Sequence, residues 1–171
     1  MGVQETFQEI NPEQIQDNVF KLIGSDWMLI TAGDMTAYNT MTASWGGLGV
    51  LWGKNVAFCF VRPQRFTYQF LEKHDTFTLS FFDKEYRKAL EFCGSHSGKN
   101  VNKVEATGLT PVEDNGAIYF KEARLVIVCR KIYYQDITAS NFLDPGIGKN
   151  YPMKDYHRMY TGHIIKCLLK E

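Results

Sequence analysis

The sequence predicts a mainly β protein with a few short flanking helices, and three observations support this class. Residues 56–61 (VAFCFV) and 76–82 (TFTLSFF) are short runs of apolar, β-branched and aromatic residues, which is the composition of strands. Longer runs of the same kind occupy 117–138 and 160–168. Turn residues separate these runs, as at 113–116 (EDNG), so neighbouring strands are expected to pair as antiparallel hairpins.

The individual elements follow from local patterns. The nearly continuous apolar run at 56–61 predicts a strand buried on both faces. Residues 27–32 predict a strand that turns at Gly33-Asp34 and forms a hairpin with the stretch that begins at Asn39. A helix is expected from Asp83 to Gly94, because Asp is a good N-cap and Gly ends helices.

We expect the whole chain, 1–171, to form one domain, with 1–20 as an N-terminal helical extension. No Pro/Ser-rich linker or charge run divides the chain. Asn11-Pro12-Glu13-Gln14 has the composition of a helix start, with Asn as N-cap and Gln placed to complete a capping box. The apolar positions after it predict a helix that ends at Gly24.

Composition excludes several classes of protein. Lys+Arg and Asp+Glu both number 19, and a net charge of zero argues against nucleic acid or an anionic membrane as the main partner. No apolar run approaches the ~18 residues of a membrane span, and residues 1–10 lack the pattern of a secretion signal, so a cytoplasmic location is expected. Twelve Phe and nine Tyr exceed what one small domain readily buries, which predicts a homodimer.

The cysteines and histidines do not suggest a metal site. The four cysteines are widely spaced, and three of them lie in apolar runs, where they are expected to be small buried hydrophobic residues. Cys93 falls near the end of a predicted helix, where the helix dipole disfavours a thiolate, so a structural role is expected. His157 and His163 have no carboxylate at ligand spacing, and no metal is predicted.

The stretch 39–47 (NTMTASWGG) is polar in a way that a core strand is not. Strand alternation places Thr40, Thr42 and Ser44 on one face, and Met41, Ala43 and Trp45 on the other. The hydroxyl face is predicted to hydrogen-bond the polar edge of a flat ligand, with Gly46-Gly47 allowing a close approach. The alternative is a surface strand that uses Thr for its β-propensity.

A candidate anion site follows the strand at 56–61. Arg62 and Arg65 precede Thr67, which is predicted to be the N-cap of a helix over 68–73. A phosphate at this turn would meet backbone N–H groups, the positive end of a helix dipole and guanidinium donors. The alternative is two solvated arginines at a strand end.

Other phosphate and nucleophile motifs are missing from the sequence. Trp52 interrupts the GxGxxG-like stretch that begins at Gly47, Gly148-Lys149 is not part of a P-loop, and there is no GxSxG elbow. Residues 94–99 (GSHSGK) form a polar loop with the character of a flexible ligand lid. A phosphate is therefore expected at the strand-to-helix turn rather than in one of these motifs.

Four stretches carry a resemblance to a known family: 39–47, 61–67 (VRPQRFT), 78–82 (TLSFF) and 92–111 (FCGSHSGKNVNKVEATGLTP). In this order they resemble the flavin reductase-like family, FMN-binding split barrels related to flavoredoxin, over about residues 20–165. The resemblance implies a six-stranded Greek-key split barrel and a homodimer with FMN at or near the subunit interface. It also implies flavin or electron-transfer chemistry with NADH or NADPH as possible reductant.

The resemblance also implies roles for single residues. The strand beside the isoalloxazine would consist of Asn39, Thr40, Met41, Thr42 and Ser44. The phosphate end would be formed by Arg62, Arg65 and Thr67, the ring would be lined by Trp45 and Phe82, and Ser97 would belong to an SG loop. Asn102 and Val104 depart from the Asp and Phe that are frequent in the family, which affects the contacts of this loop.

The function expected from the sequence is that of an FMN-dependent oxidoreductase in which the flavin performs the hydride chemistry. The alternative is a non-enzymatic FMN or haem carrier on the same barrel. Reductant is expected to approach an exposed flavin face near the loop that carries His157. This histidine is predicted to hydrogen-bond substrate or to adjust the flavin by its charge near neutral pH, and the alternative is an idle surface histidine.

Overall fold

Strands dominate the computed structural model, which describes residues 6–171. The strands are β1 Phe7–Ile10, β2 Met28–Asp34, β3 Ala37–Ala43, β4 Gly46–Leu51, β5 Lys54–Val61, β6 Thr76–Phe81, β7 Pro111–Asp114, β8 Ala117–Phe120, β9 Leu125–Asp136 and β10 Arg158–Lys170. The α-helices are α1 Val19–Lys21, α2 Phe66–Lys73, α3 Arg87–Ser95 and α4 Lys103–Thr107. A π-helical turn covers Leu22–Asp26, and 3-10 turns cover Pro12–Gln14, Lys84–Tyr86, Ala139–Asn141 and Pro145–Asn150.

Eight of the strands form one antiparallel sheet. Its order is β3-β2-β6-β9-β10-β5-β4, and β1 pairs with the end of β10, while β7 and β8 form a separate hairpin. The predicted mainly β split barrel with few short helices is confirmed. The sheet has eight strands where the resemblance implied six. The extra strands include β1, which is half polar, and the glycine-rich β4, and neither composition favours a strand locally.

The sheet is buried on both faces along its central strands. On β2, Ile30 points into the interior of the barrel, while its neighbour Leu29 joins an outer cluster under α3 and the β7–β8 hairpin. On β9, Ile127 likewise belongs to the interior cluster and Val126 to the outer cluster. This alternation follows from the period of two residues along a strand. The outer cluster holds α3 against the sheet, and α3 in turn borders the candidate site.

The N-terminal segment differs from the predicted helical extension. Asn11 does begin a helical turn, because its side chain accepts from the Glu13 N–H while the Gln14 side chain accepts from the Asn11 N–H. That turn ends at Gln14, and Phe7–Ile10 before it is a strand. This strand pairs with β10, which lies at the other end of the chain, so local sequence patterns do not predict the pairing. Residues 1–5 lie outside the described part.

Strand β5 is buried mainly on one face, contrary to the prediction for 56–61. Ala57, Cys59 and Val61 are fully buried on one face. On the other face Val56 is fully buried, as predicted, but Phe58 and Phe60 are partly exposed, and Phe60 reaches the candidate site. All four cysteines are buried and free, which confirms the prediction for those in apolar strands. Burial raises the pKa of Cys93 to about 11, in agreement with a structural thiol. No helix within residues 6–171 is both long and apolar enough to span a membrane.

Candidate functional site

Two adjoining cavities lie beside β3, and Arg65 lines both. The first, here called the Trp45 cavity, has a volume of about 180 Å³ and is lined by Met41, Thr42, Ala43, Ser44, Trp45, Phe60, Arg62, Arg65 and His157. The second, the Thr67 cavity, has a volume of about 140 Å³ and is lined by Asn39, Gln64, Arg65, Phe66, Thr67, Gly94, Ser95, His96, Ser97, Gly98 and Lys103. Most of the residues that the resemblance singled out therefore lie along one groove.

Two of the three hydroxyls predicted to face a ligand are bonded within the protein. The Thr40 Oγ1 is buried and lies 2.9 Å from the Thr31 Oγ1. The Thr42 Oγ1 donates to the carbonyl of Leu90 in α3. This corrects the prediction of a hydroxyl-lined ligand face, because both partners come from other elements of the fold. Ser44 remains in the Trp45 cavity.

The part of β3 that faces the groove is its backbone. β3 is the last strand of the sheet, so it pairs with β2 on one side only. The carbonyl of Thr40 points away from β2, since it accepts from the Lys103 Nζ at 2.7 Å. In an antiparallel pair every second residue has this orientation, so the main-chain groups of Thr42 also point outward. They provide a donor and an acceptor beside the Trp45 cavity.

The two arginines have different environments. Arg62 is engaged within the protein, because its Nη1 lies 2.6 Å from the Asp155 Oδ2 and its Nη2 donates to the Asn150 carbonyl at 2.9 Å. It thereby fixes the segment between β9 and β10. The Arg65 side chain makes no hydrogen bond or ion pair within residues 6–171. Burial, together with the positive charge of Arg62, lowers the pKa of Arg65, so its free guanidinium would be stabilised by an anion.

Helix α2 begins earlier than predicted, which changes the role of Thr67. Arg65 is the N-cap residue, and Thr67 is the second residue of the helix. The Thr67 side chain is fully buried, and its Oγ1 accepts from the Asn39 Nδ2 at 2.8 Å. Thr67 therefore connects β3 with α2 instead of capping the helix. The Tyr68 N–H donates to the Arg65 carbonyl at 2.9 Å, but the N–H groups of Phe66 and Thr67 have no acceptor within the helix, and both residues line the Thr67 cavity.

The loop after α3 is a packed turn rather than the predicted flexible lid. A Cβ on Gly98 would lie 2.0 Å from the Asn39 Oδ1 and 3.1 Å from a ring carbon of Phe66, so only glycine fits there without a shift. The Asn100 N–H donates to the Ser97 carbonyl at 3.0 Å, which closes the turn. Ser97 lines the Thr67 cavity, as the SG loop of the family implies.

Lys103 is a functional candidate that the sequence analysis missed. It is buried, and its Nζ donates to the carbonyls of Thr40 at 2.7 Å and Cys93 at 2.8 Å. Burial lowers the pKa of Lys103 to about 8, and the charge of Arg65 acts in the same direction. The only signal in the sequence was its position between Asn102 and Val104 in the fourth stretch of the resemblance. Two cations thus line the Thr67 cavity without a carboxylate among its lining residues.

His157 lies in the Trp45 cavity, and it is buried rather than an idle surface residue. Its ring centroid is 5.1 Å from that of Trp45, and its Nδ1 lies 2.9 Å from the Tyr151 hydroxyl oxygen. Burial and the charge of Arg62 lower the pKa of His157 to about 4. The ring is therefore neutral near pH 7, which corrects the prediction that its charge adjusts a ligand at neutral pH.

Phe82 lies away from both cavities, and among the predicted ligand-binding residues only Thr40 and Phe82 line neither of them. It is buried in the outer cluster, with ring centroids 5.8 Å from Tyr86 and 6.4 Å from Phe120. Its position just after β6 turns the ring toward the outer face of the sheet. Phe82 is therefore a core residue and does not line the groove of this chain, which corrects its predicted role.

The lowered pKa of His157 predicts a pH-dependent stability. Because the pKa is about 4 in the folded protein and ordinarily 6.5, the unfolded chain binds the proton first as the pH falls. The stability contributed by the neutral ring is complete above pH 6.5 and is lost as the pH falls toward about 4. We expect urea-unfolding free energies of the parent to fall more steeply across this range than those of His157→Gln. His74→Gln, outside both cavities, is the matched control and should follow the parent, whereas parallel curves for parent and His157→Gln would contradict the assignment.

The fold is that of a split barrel, and its candidate site is the groove beside β3. Residues 20–167 match the flavin reductase like domain, and the chain belongs to this family. Among solved structures, the FMN-binding domain of a flavin reductases-like enzyme from Shewanella baltica OS155 is similar with a TM-score of 0.71 at 15% identity, covering 98% of this chain and 79% of that chain.

Two further structures show the same fold. Flavoredoxin of Desulfovibrio vulgaris (Miyazaki F) has a TM-score of 0.68 at 20% identity, covering 95% of this chain and 78% of that chain. An NADH:FAD oxidoreductase of Streptomyces globisporus C-1027, in complex with NAD and FAD fragments, has a TM-score of 0.64 at 18% identity, covering 85% of this chain and 77% of that chain. A search of curated proteins found no match.

Proposed function

We propose that this protein binds FMN in the groove beside β3 and acts as a flavin reductase-like oxidoreductase with NADH or NADPH. The observation that carries the proposal is Arg65. A half-buried guanidinium without a protein partner stands at the N-cap of α2, where the two cavities meet. An anionic group of the ligand is needed to complete this arrangement, and membership of the family makes a flavin phosphate the best candidate.

The proposed orientation follows from the chemistry of the two cavities. The Thr67 cavity offers cations and helix N–H groups, so it suits the phosphate. The Trp45 cavity offers an indole, an imidazole and the outward main-chain groups of Thr42, so it suits the isoalloxazine ring. Each cavity is smaller than the ~300–1,000 Å³ of typical cofactor pockets, which favours a ligand that spans both.

The role of the protein in the reaction is to bind, orient and shield. The bound flavin would supply the hydride chemistry. Arg65 and Lys103 would hold the phosphate, and the backbone of Thr42 would fix the polar edge of the ring. His157 is neutral at neutral pH and accepts or donates one hydrogen bond with Tyr151, so its part is to hold the wall of the cavity or to contact the substrate.

A homodimer would complete the site. Trp45 is 44% exposed, so one face of the Trp45 cavity is open in the single chain. Large side chains are also exposed elsewhere on the sheet, including Val50, Trp52, Tyr133 and Tyr134. Covering such residues in a second copy would account for the aromatic excess of the sequence. Sedimentation of the flavin-loaded protein is expected to give a dimer, and a monomer that holds FMN tightly would remove the second subunit from the proposal.

Flavin binding and reduction test the proposal directly. Apo-protein mixed with FMN should retain flavin absorption near ~450 nm after gel filtration, and NADH or NADPH should bleach that absorption. A protein that keeps FMN but is reduced by neither nucleotide would be an FMN carrier, which is the alternative function. A protein that retains no flavin would contradict both, and uptake of haem instead would identify the haem carrier.

A further inference from the structure

A third cavity borders the Thr67 cavity. This Tyr38 cavity, about 470 Å³ in volume, is lined by Met35, Thr36, Ala37, Tyr38, Asn39, Thr40, Gly98, Lys99, Asn100, Val101, Asn102, Lys103 and Val104. Three residues, Asn39, Gly98 and Lys103, line the Thr67 and the Tyr38 cavities alike. These three residues, here called the dividing wall, therefore separate the two spaces.

The dividing wall is closely packed and anchored on three sides. Gly98 approaches Asn39 so closely that a Cβ would lie 2.0 Å from the Asn39 Oδ1, so little space remains between loop and strand at that point. The Asn39 Nδ2 bonds to the Thr67 Oγ1 at 2.8 Å, which ties the wall to α2. The Lys103 Nζ bonds to the carbonyls of Thr40 and Cys93, which ties it to β3 and α3.

The positive charge on the groove side of the wall also limits which kind of phosphate the ligand can carry. Arg65 and Lys103 both line the Thr67 cavity, so two positive charges face one small space of about 140 Å³. A phosphate monoester carries a charge of about −1.5 to −2 at neutral pH, because its second pKa is about 6. A phosphate inside a dinucleotide is esterified on both sides and carries a single charge, so it would neutralise only one of the two cations.

We infer that the dividing wall makes the site selective for a flavin mononucleotide and disfavours FAD. The wall ends the groove just beyond the phosphate, and the two cations match a terminal phosphate dianion. The second phosphate and the adenosine of FAD would have to open the contact between Asn39 and Gly98 or extend into solvent. This inference rests on the proposed flavin function, and it names the residues that set the choice between two flavins.

The test is to titrate apo-protein with FMN, FAD and riboflavin and to follow flavin fluorescence. For the parent we expect FMN to bind at least about 30-fold more tightly than FAD, the size of effect that one charge-assisted hydrogen bond produces. Asn39→Ala removes the contact with Gly98 and the bond to Thr67. The affinity for FAD relative to that for FMN should therefore rise by about tenfold or more. Asn100→Ala changes the Tyr38 cavity alone and should leave the ratio unchanged.

A second variant keeps the inference testable if Asn39→Ala does not fold. Lys103→Met keeps the apolar stem and removes the charge, so the preference for FMN should shrink through a loss of FMN affinity, while riboflavin binding changes little. The inference would be overturned if the parent bound FAD with an affinity within about threefold of that for FMN. It would also be overturned if the ratio of the two affinities were unchanged in both variants. In those cases riboflavin binding weaker than FMN binding would leave the proposed flavin function intact, whereas failure of all three flavins to bind would reject that function as well.

Discussion

Replacing Arg65 with alanine is expected to weaken FMN binding about 30-fold, or about 2 kcal/mol, while riboflavin binding changes little. The physical reason is that the Arg65 guanidinium has no partner within the described chain, and that Arg65 lines both cavities at the start of α2. Its bonds would go to the phosphate, which riboflavin lacks. The measurement is fluorescence titration of apo-protein with the two flavins under the same conditions.

Arg62→Ala is the matched comparison for this experiment. Arg62 is three residues away but is bonded to Asp155 and to the Asn150 carbonyl, so its removal should loosen the segment before β10. That segment carries His157 at the Trp45 cavity, so both flavins should lose affinity by similar factors. If Arg65→Ala also weakened both flavins equally, Arg65 would not contact the phosphate.

Replacing Leu79 with alanine is expected to lower the free energy of unfolding by about 2–5 kcal/mol. Leu79 lies on β6, is fully buried in the barrel interior, and stands between Ile30 of β2 and Ile127 of β9 in the strand register. Alanine would leave a cavity that these β-branched neighbours cannot readily fill. Urea unfolding of the apo-protein measures the change without a contribution from bound ligand.

Val50→Ala is the surface control for the core substitution. Val50 is 72% exposed on the edge strand β4, so its truncation should change stability by no more than about 0.5 kcal/mol. A loss below about 1 kcal/mol for Leu79→Ala would mean that the interior relaxes around the smaller side chain, and that the barrel is less tightly packed than its burial indicates.

Short-range patterns predicted much of the fold correctly. The strand at 76–82, the hairpin turn at Asn115-Gly116 and the capped turn at Asn11 are all present. Asn115 and Gly116 have φ values of 50° and 78°, the backbone that an Asn-Gly turn favours. Each of these features depends on residues within a few positions of one another, so a short stretch of sequence is enough to predict it.

The assignment of roles within the site was less complete, because its contacts join distant segments. Thr42 was predicted to face a ligand, but its hydroxyl bonds to Leu90 of α3. The sequence pattern does not distinguish Arg62 from Arg65, yet only Arg62 meets Asp155, which is distant in sequence. Lys103 was not singled out, since its burial depends on the carbonyls of Thr40 and Cys93.

By itself the sequence determined the β-rich class, most strand positions and the family, because alternation, turn residues and ordered motifs are local properties. Only the tertiary structure decided which cation is free for an anion, which hydroxyls are already bonded and where the groove ends. These properties depend on which side chains meet across the barrel. That pairing is set when β3, α2 and the loop after α3 pack together, through contacts such as Asn39 with Thr67 and with Gly98.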